Sequence, residues 1–410
     1  MMSLLIDACE WAMYRRIFGL IFVCLCAVQN PLHAQDFKLL DRDVQIHGFA
    51  SQGFVHTNDN NWLTMYTSNF GSGEFTDFGA NASSQITDKF RVGAQIYDRR
   101  LGQLGQWHPS LDWAVASYRF NPWFGIRGGK VKTAIGLFND TQDLDFLHPF
   151  ALLPQSVYST DLRDSTIAHV GGDFFGDVAL GKSRGRLSYT AYAGVRQDSH
   201  YGGYPYLLKS VPISLSSYGG IQYGGDLRWQ TPLKGLLIGA SRMNEDISGD
   251  GTSAFFGPPS PYHEESKADW TNQFYGQYTF GKLEVDAEYR RYWRDQSIFN
   301  GVAEIQTDVR GWYFSGAYRI TKHFQVGSYF SHYSLYSPDS FGGPTNGHTY
   351  DKVVTGRVDI NKYFNVKIEG HFMDGYGAPG LYPDGFYASN NPQGLKPNTD
   401  ALVVKGGFNF

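Results

Sequence analysis

Cysteine is nearly absent from this sequence of 410 residues. Its three cysteines are Cys9, Cys24 and Cys26, all near the N-terminus. A basic stretch at residues 14–16, an apolar run over 17–28 and the small residue Ala34 predict that residues 1–34 are a secretory signal peptide. Met13 is an alternative start, which would leave residues 1–12 outside the protein. The exported chain, residues 35–410, then contains no thiol, which excludes a small disulfide-stabilised scaffold and a cysteine metal site.

Long apolar runs and blocks of basic residues are missing as well. After the signal peptide, no apolar run reaches the roughly 20 residues that a membrane-spanning helix needs, so a helical membrane protein is excluded. The net charge of −4 includes no basic block that would attract nucleic acid. The chain has instead 16% aromatic residues and 48 glycines, a composition typical of the walls and aromatic girdles of an outer-membrane barrel.

Apolar and polar residues alternate with a period of two in several segments. In residues 283–290 the odd positions are Leu283, Val285, Ala287 and Tyr289, and the even positions are Glu284, Asp286, Glu288 and Arg290. Residues 186–196, 352–360 and 364–372 show the same alternation. One face of such a strand contacts lipid and the other water in a barrel, whereas in a soluble sandwich one face contacts the core.

Short turns and long polar loops follow each other strictly along the chain. The turns lie near residues 88, 122, 180, 232, 281, 322 and 362, and the loops at 56–73, 99–109, 138–164, 197–217, 245–266, 295–305, 337–349 and 375–398. A membrane barrel sorts its connections in this way, with short periplasmic turns and long outer loops. The sequence therefore predicts an all-β fold: one closed antiparallel transmembrane β-barrel of about sixteen strands, whose first strand (43–55) pairs with its last (399–410).

Residues 129–164 are too apolar for a solvated loop and too irregular for a strand, so we expect them to fold into the barrel lumen and narrow it. The predicted constriction residues are Asp140, Asp143, Asp145, Phe146 and His148, and the predicted cations of the channel wall are Lys130, Lys132, Arg186, Arg196 and Arg290. Opposed acids and bases would set a field across the pore that orients dipolar solutes without retaining them. Alternatively, the acids cap short helical turns and the bases are paired structurally.

The exported chain resembles a Gram-negative porin of roughly sixteen strands. Residues 47–53 (HGFASQG) and 129–158 resemble the phosphate-selective porin O/P superfamily and its porin-like relatives, and the terminal Phe410 resembles the assembly signal of outer-membrane proteins. The resemblance implies a homotrimer whose third extracellular loop, residues 138–164, folds into the channel. Selectivity for phosphate is not expected, because no Lys or Arg lies between Lys132 and Arg163.

The predicted function is passive diffusion of small hydrophilic solutes through a water-filled channel in the cell outer membrane. The expected partners are these solutes, outer-membrane lipid and lipopolysaccharide; no nucleic acid, cofactor, metal ion or catalytic residue is expected. The alternatives are a channel specific for anionic solutes such as phosphate or carboxylates, an outer-membrane hydrolase, and a soluble carbohydrate-binding sandwich. The oxygen-rich residues 245–251 are expected to form a solvated loop, because their spacing matches no calcium loop.

Overall fold

The computed structural model describes residues 35–39, 42–181, 183–208, 211–336, 347–377 and 384–410. The predicted signal peptide and parts of the loops predicted at 337–349 and 375–398 lie outside the described residues. The described chain forms one antiparallel sheet with the strands β1 (Gln35–Leu39), β2 (Arg42–Thr57), β3 (Ser72–Thr87), β4 (Phe90–Leu101), β5 (Ser110–Asn121), β6 (Phe124–Lys132), β7 (Ala168–Ala179), β8 (Arg186–Gln197), β9 (Ile213–Gln230), β10 (Leu236–Ser253), β11 (Ser260–Phe280), β12 (Leu283–Ile298), β13 (Ala303–Arg319), β14 (Phe324–Tyr336), β15 (His348–Asp359), β16 (Phe364–Gly375) and β17 (Asn398–Asn409).

Strands β2 to β17 close into a sixteen-stranded barrel, which confirms the predicted fold. Each strand pairs with its neighbours in sequence, and β17 pairs with β2, where Gly406 lies opposite Gln52. The Phe410 N–H donates to the Gly48 carbonyl at 2.9 Å and extends this seam to the last residue. The short strand β1 pairs with the start of β2. Closure satisfies the backbone groups that an open sheet edge would expose to lipid.

Among the described residues, no helix is long and apolar enough to cross a membrane.

Alternation of side chains along each strand separates the two surfaces of the barrel. On β16, Ile368 and Phe372 are 55% and 51% exposed on the outside, whereas Lys367 and Glu369 are fully buried inside. Charged residues are placed inside because a charge facing the middle of the bilayer costs about 2–4 kcal/mol. The alternation predicted for β8, β12, β15 and β16 is confirmed.

The outer surface is not uniform around the barrel. One line of directly paired residues on the outer face of β4–β8 consists of Val92, Ala116, Gly128, Gly172 and Ala193, and we call it the small-residue face. A line of directly paired outward residues across β9–β13 consists instead of Leu227, Ala240, Phe274, Tyr289 and Trp312, most of which are large. The outward side chains along these two lines therefore differ in size.

Two of the predicted loops are mostly strand. Strand β10 continues to Ser253 and β11 begins at Ser260, so the loop predicted at 245–266 shrinks to residues 254–259. The loop predicted at 295–305 shrinks likewise to 299–302. Backbone pairing continues along these hairpins where both faces are polar, so the alternation that marks a lipid-facing strand is lost while the strand itself persists.

The segment 245–251, expected to be a solvated loop, therefore lies within β10. Glu245 is buried and forms an ion pair with Arg196. No cluster of three or more potential metal ligands occurs in the part of the chain that the structure describes.

Part of the barrel interior is an apolar core, which the sequence did not indicate. Outer-loop residues Trp62, Leu63 and Phe386 pack with Val403 of β17 and with Leu152, and all five are nearly or fully buried. This core occupies the side of the lumen bounded by β2–β4 and β16–β17.

Candidate functional site

The connection between β6 and β7, residues 133–167, lies inside the barrel, and we call it the inner loop. Its base is closed by a hydrogen bond from the Thr133 N–H to the Ile167 carbonyl at 3.0 Å. Asn139 strengthens the base, because its amide group donates to the carbonyls of Thr133 and Thr166, each at 2.9 Å. From there the loop contacts β4–β5, β12–β13 and β15–β17, strands up to half a barrel apart, so it crosses the lumen.

The first anchor of the inner loop is a pair of lysines on β16 and β17. Lys367 Nζ donates to the main-chain carbonyls of Asp145 and Phe150 at 2.6 and 2.9 Å. Lys367 Nζ and Lys405 Nζ also lie 3.0 and 3.1 Å from Oδ1 of Asp145. Burial alone would raise the pKa of the Asp145 carboxyl, but the two ammonium groups outweigh burial and hold that pKa at about 2.

Two more wall residues hold the same part of the loop. The Glu369 carboxylate accepts the N–H groups of Ala151 and Leu152 at 2.9 and 3.1 Å. Arg357 on β15 donates to the His148 carbonyl at 2.8 Å. These contacts are made to the backbone, so they fix the path of the loop whatever its side chains are.

A second anchor lies on β12 and β13. Glu288 accepts the Leu137 N–H at 3.0 Å and the Tyr158 hydroxyl at 2.5 Å. Arg290 donates to the Val157 carbonyl at 2.9 Å. At Gly311 the loop touches the wall so closely that an added Cβ would overlap the Ser156 carbonyl.

A third anchor pairs the loop with β4, β5 and the end of β6. Asp143 accepts Lys132 Nζ at 2.7 Å and the Gln95 amide at 2.8 Å. Arg163 lies 3.7 Å from Asp143 and donates to Asp112 at 2.6 Å. Burial would raise the pKa of the Asp143 carboxyl, but the attraction of Lys132 and Arg163 lowers it.

His148 is buried in the loop as a neutral ring. Its Nε2 lies 2.8 Å from the Thr141 carbonyl, which only accepts, so Nε2 carries the proton. Phe138 packs edge-on against the ring at 5.0 Å. Burial lowers the pKa of His148 to about 4.

The predicted acids do not face wall bases across open space. Asp143 and Asp145 are buried and contact lysines directly, because the loop is pressed against the wall. Asp140 is exposed, and its carbonyl accepts Lys132 Nζ at 2.9 Å; Phe146 is half-buried. For Asp143 and Asp145, closed ion pairs therefore take the place of the expected transverse field.

The predicted wall cations lie in different places. Lys130 is directly opposite Val170, which is 60% exposed, so it leaves β6 on the outward parity and donates to the Leu111 carbonyl at 2.6 Å. This corrects the predicted inward orientation. Val131, the next residue, is buried on the inner face, and Lys132 at the end of β6 has the parity of Lys130 but contacts Asp143 of the inner loop.

The three arginines lie on the inner face, at different heights. Arg186 lies beside the short turn before β8 and pairs with Asp177 at 2.6 Å. Arg196 is buried against Asp198 at 2.9 Å and Glu245. Arg290 lines a cavity of about 100 Å³ between the inner loop and the wall of β9–β13. Arg290 forms no ion pair with any carboxylate among the described residues, so its charge is not neutralised there.

The anchors Lys367, Glu369, Glu288 and Lys405 were missed as site residues. The first three lie on polar positions of strands whose alternation was recognised, which already indicated an inward side chain. Their partners, however, are loop atoms more than a hundred residues away, and no local pattern specifies them.

A closed barrel with an apolar outer face, charged inner face and a loop inside its lumen is the architecture of a porin-like protein of the bacterial outer membrane. Solved structures with this fold include the outer-membrane protein OmpT of Vibrio cholerae (TM-score 0.56, 10% identity, covering 92% of this chain and 100% of that one). An anion-selective porin of Comamonas acidovorans is similar (TM-score 0.56, 11% identity, 90% and 100% covered). So is the channel DcaP of Acinetobacter baumannii (TM-score 0.53, 10% identity, 92% and 100% covered).

In sequence, the chain is 24% identical over 307 residues to an uncharacterized protein of Aquifex aeolicus (strain VF5), covering 70% of this chain and 63% of that protein. The match thus spans less than two thirds of the relative. No protein-family model matches. The likenesses establish the outer-membrane porin fold, and the phosphate-selective porin O/P superfamily is not confirmed.

Proposed function

We propose that the protein is a non-enzymatic channel for passive diffusion of small hydrophilic solutes, narrowed by residues 138–164. The observation that carries this proposal is the inner loop itself, which crosses a closed lumen and is anchored to strands on opposite sides. The apolar core fills one side of the lumen, so the passage runs along the wall of β9–β13, beside the cavity at Arg290. Arg196 and Arg290 are the wall cations, and Asp140, with its exposed carboxylate, is the loop acid at this passage.

Single-channel recording of the refolded protein in planar bilayers tests this proposal. We expect discrete conductance steps, and larger steps for a variant that lacks residues 140–163 of the inner loop. Liposome swelling across sugars, amino acids and dicarboxylates then reports which solutes pass. A barrel that refolds yet conducts no ions, with or without its inner loop, would contradict a channel. Hydrolysis of esters or peptides by the purified protein would favour an enzyme.

A preference for anionic solutes is a second candidate, favoured by the unpaired charge of Arg290. An arginine without a carboxylate partner attracts an anion in a confined passage, whereas the other inward cations described here are largely neutralised. The solved structure of an anion-selective porin shares the fold. We expect Arg290→Gln to lower the anion-to-cation permeability ratio in reversal-potential measurements, and Arg186→Gln, close to the periplasmic mouth, to lower it less.

The channel is proposed to be a homotrimer that contacts its partners through the small-residue face. Short side chains let the backbones of two barrels approach closely over a flat area. An in-vitro folded form of Vibrio cholerae OmpT with this fold is a trimer (TM-score 0.54, 10% identity, 90% of this chain and 99% of that one covered).

A further inference from the structure

Three arginines lie in one line on the outer surface of β10–β13. Arg242 on β10 is directly opposite Asn272 on β11, which is opposite Arg291 on β12, which is opposite Arg310 on β13. Directly opposite residues share a face, and on this face Phe314 is 57% exposed toward the membrane. We call Arg242, Arg291 and Arg310 the arginine row, and its side chains point away from the lumen.

The arginine row lies at the upper edge of the apolar band. On β11, Asn272 is eight residues above Phe280, which flanks a short turn. At about 3.3 Å per residue and a strand tilt of about 40°, this separation is a height of roughly 20 Å, near the top of an apolar band about 25 Å tall. Trp270 and Tyr336 lie at the same level, as expected of an interfacial girdle. The short turns are periplasmic, so this edge meets the headgroups of the outer leaflet.

The positive charge of the row is only partly neutralised. The Asp308 carboxylate accepts two hydrogen bonds from Arg291, both of 2.9 Å, and two from Arg310, of 2.6 and 3.2 Å. Arg242 donates only to the amide oxygens of Asn244 and Asn272, each at 3.0 Å, and has no carboxylate partner among the described residues. Two of the three guanidinium groups thus share one carboxylate, and the guanidinium group of Arg242 has none among the described residues.

Aromatic rings hold these guanidinium groups in place. The Trp270 ring lies between Arg242 and Arg291, each with its guanidinium carbon 5.3 Å from the ring centroid. Arg310 lies 4.4 Å from the Tyr336 ring centroid. Such contacts restrict long side chains, and therefore reduce the entropy that ligand binding would cost.

We propose that the arginine row binds the phosphate groups of lipopolysaccharide in the outer leaflet. A guanidinium donates two parallel hydrogen bonds to phosphate, and a line of three matches a ligand that carries more than one phosphate. The row lies on β10–β13, whereas the small-residue face proposed for subunit contact lies on β4–β8, so lipid covers the row in the assembled protein. The site requires the outer-membrane location but not channel activity.

The test is the thermal unfolding midpoint of the refolded protein in detergent, titrated with lipid A that carries two phosphates. We expect the midpoint to rise with this lipid but not with fully dephosphorylated lipid A or with inorganic phosphate at the same concentration. Arg242→Gln should weaken the apparent affinity about tenfold, because one charge-assisted contact is lost, and R242Q/R291Q/R310Q should weaken it further.

The matched control is Lys267→Gln, which removes one exposed positive charge above the membrane and should leave the affinity unchanged. Equal affinities of Arg242→Gln and the native protein would overturn the proposal, as would equal stabilisation by dephosphorylated lipid A or by inorganic phosphate. Arg242 has no ion pair, so its variant gives a result even if the triple variant does not refold. Conductance of Arg242→Gln should be unchanged, which separates failure of this site from failure of the channel.

Discussion

Lys367 on β16 holds the inner loop through three polar contacts. Its three donor hydrogens face two main-chain carbonyls and the Asp145 carboxylate, and the side chain is fully buried. A methionine of similar length would fill the volume but leave these acceptors without donors. The loop would then be held on this side mainly by Glu369 and Lys405.

We therefore expect Lys367→Met to destabilise the folded barrel by about 3–5 kcal/mol, the usual effect of breaking a buried ion pair on one side. The thermal midpoint of the refolded protein in detergent should fall, and single-channel conductance should rise as the loop moves. Lys267→Met, which removes a lysine exposed to water, is the control and should change neither quantity. An unchanged midpoint in Lys367→Met would show that the anchor is not important.

The buried neutral state of His148 makes the seated loop sensitive to acid. Its pKa is about 4 in the seated loop, against an ordinary value of 6.5. When the inner loop is detached from the barrel wall, His148 binds a proton more readily than when the loop is packed. The packed state is therefore fully stable above pH 6.5 and loses stability as the pH falls toward 4. The loss is on the order of 3 kcal/mol. The pKa of Asp145, at about 2, keeps that anchor charged throughout this range.

We expect current fluctuations to become more frequent between pH 6.5 and 4 in single-channel recordings. The change His148→Gln keeps a donor for the Thr141 carbonyl but cannot take up a proton, so it should remove most of this dependence. His263→Gln, an exposed histidine on the β10–β11 hairpin, is the matched control and should retain it. Identical pH profiles of His148→Gln and the native protein would contradict the assignment.

At the scale of elements, the inner loop packs closely against strand β13 because Gly311 has no side chain. A larger residue there would overlap the Ser156 carbonyl, whereas a Cβ at Gly316 on the same strand meets no atom within 4 Å. We expect Gly311→Leu to displace the loop and change the conductance, and Gly316→Leu to leave the conductance unchanged. Equal conductance of both variants would show that the loop is not seated against β13 in the membrane.

The sequence predicted the elements well where lipid meets one face of a strand. Residues 364–372 alternate strictly because Ile368 and Phe372 face lipid while Lys367 faces the interior, so local polarity carries the information. The prediction failed where that contrast is absent. Beyond Glu245, residues on both faces of the β10–β11 hairpin are mostly polar, although inward residues such as Glu264 are buried, and at Val131 protein rather than water covers the inner face. The pairing of wall side chains with loop atoms is a matter of tertiary structure, so no local sequence pattern predicts it.

At the scale of the whole molecule, the unequal outer surface predicts how barrels assemble. Ala193 lies on the small-residue face, and Ala287 lies outward on β12, on the side of the arginine row. We expect Ala193→Trp to shift the protein from trimer to monomer in light-scattering measurements, because the indole would hold two barrels apart. Ala287→Trp should remain trimeric, since lipid accommodates the ring there. A trimeric Ala193→Trp and a monomeric Ala287→Trp would instead indicate that the subunits contact each other on the side of β12.

The extended β10–β11 hairpin has one further consequence. Its tip carries Phe255 and Phe256, exposed at 50% and 74%, and stands above the membrane on paired strands rather than on a loose loop. An epitope peptide inserted after Gly257, where an added Cβ meets no atom within 4 Å, should be recognised by antibodies on intact cells. The same epitope inserted after Gly281, in a short turn, should be recognised only once the cells are permeabilised. Accessibility of these two sites would thus report which end of the barrel faces the outside of the cell.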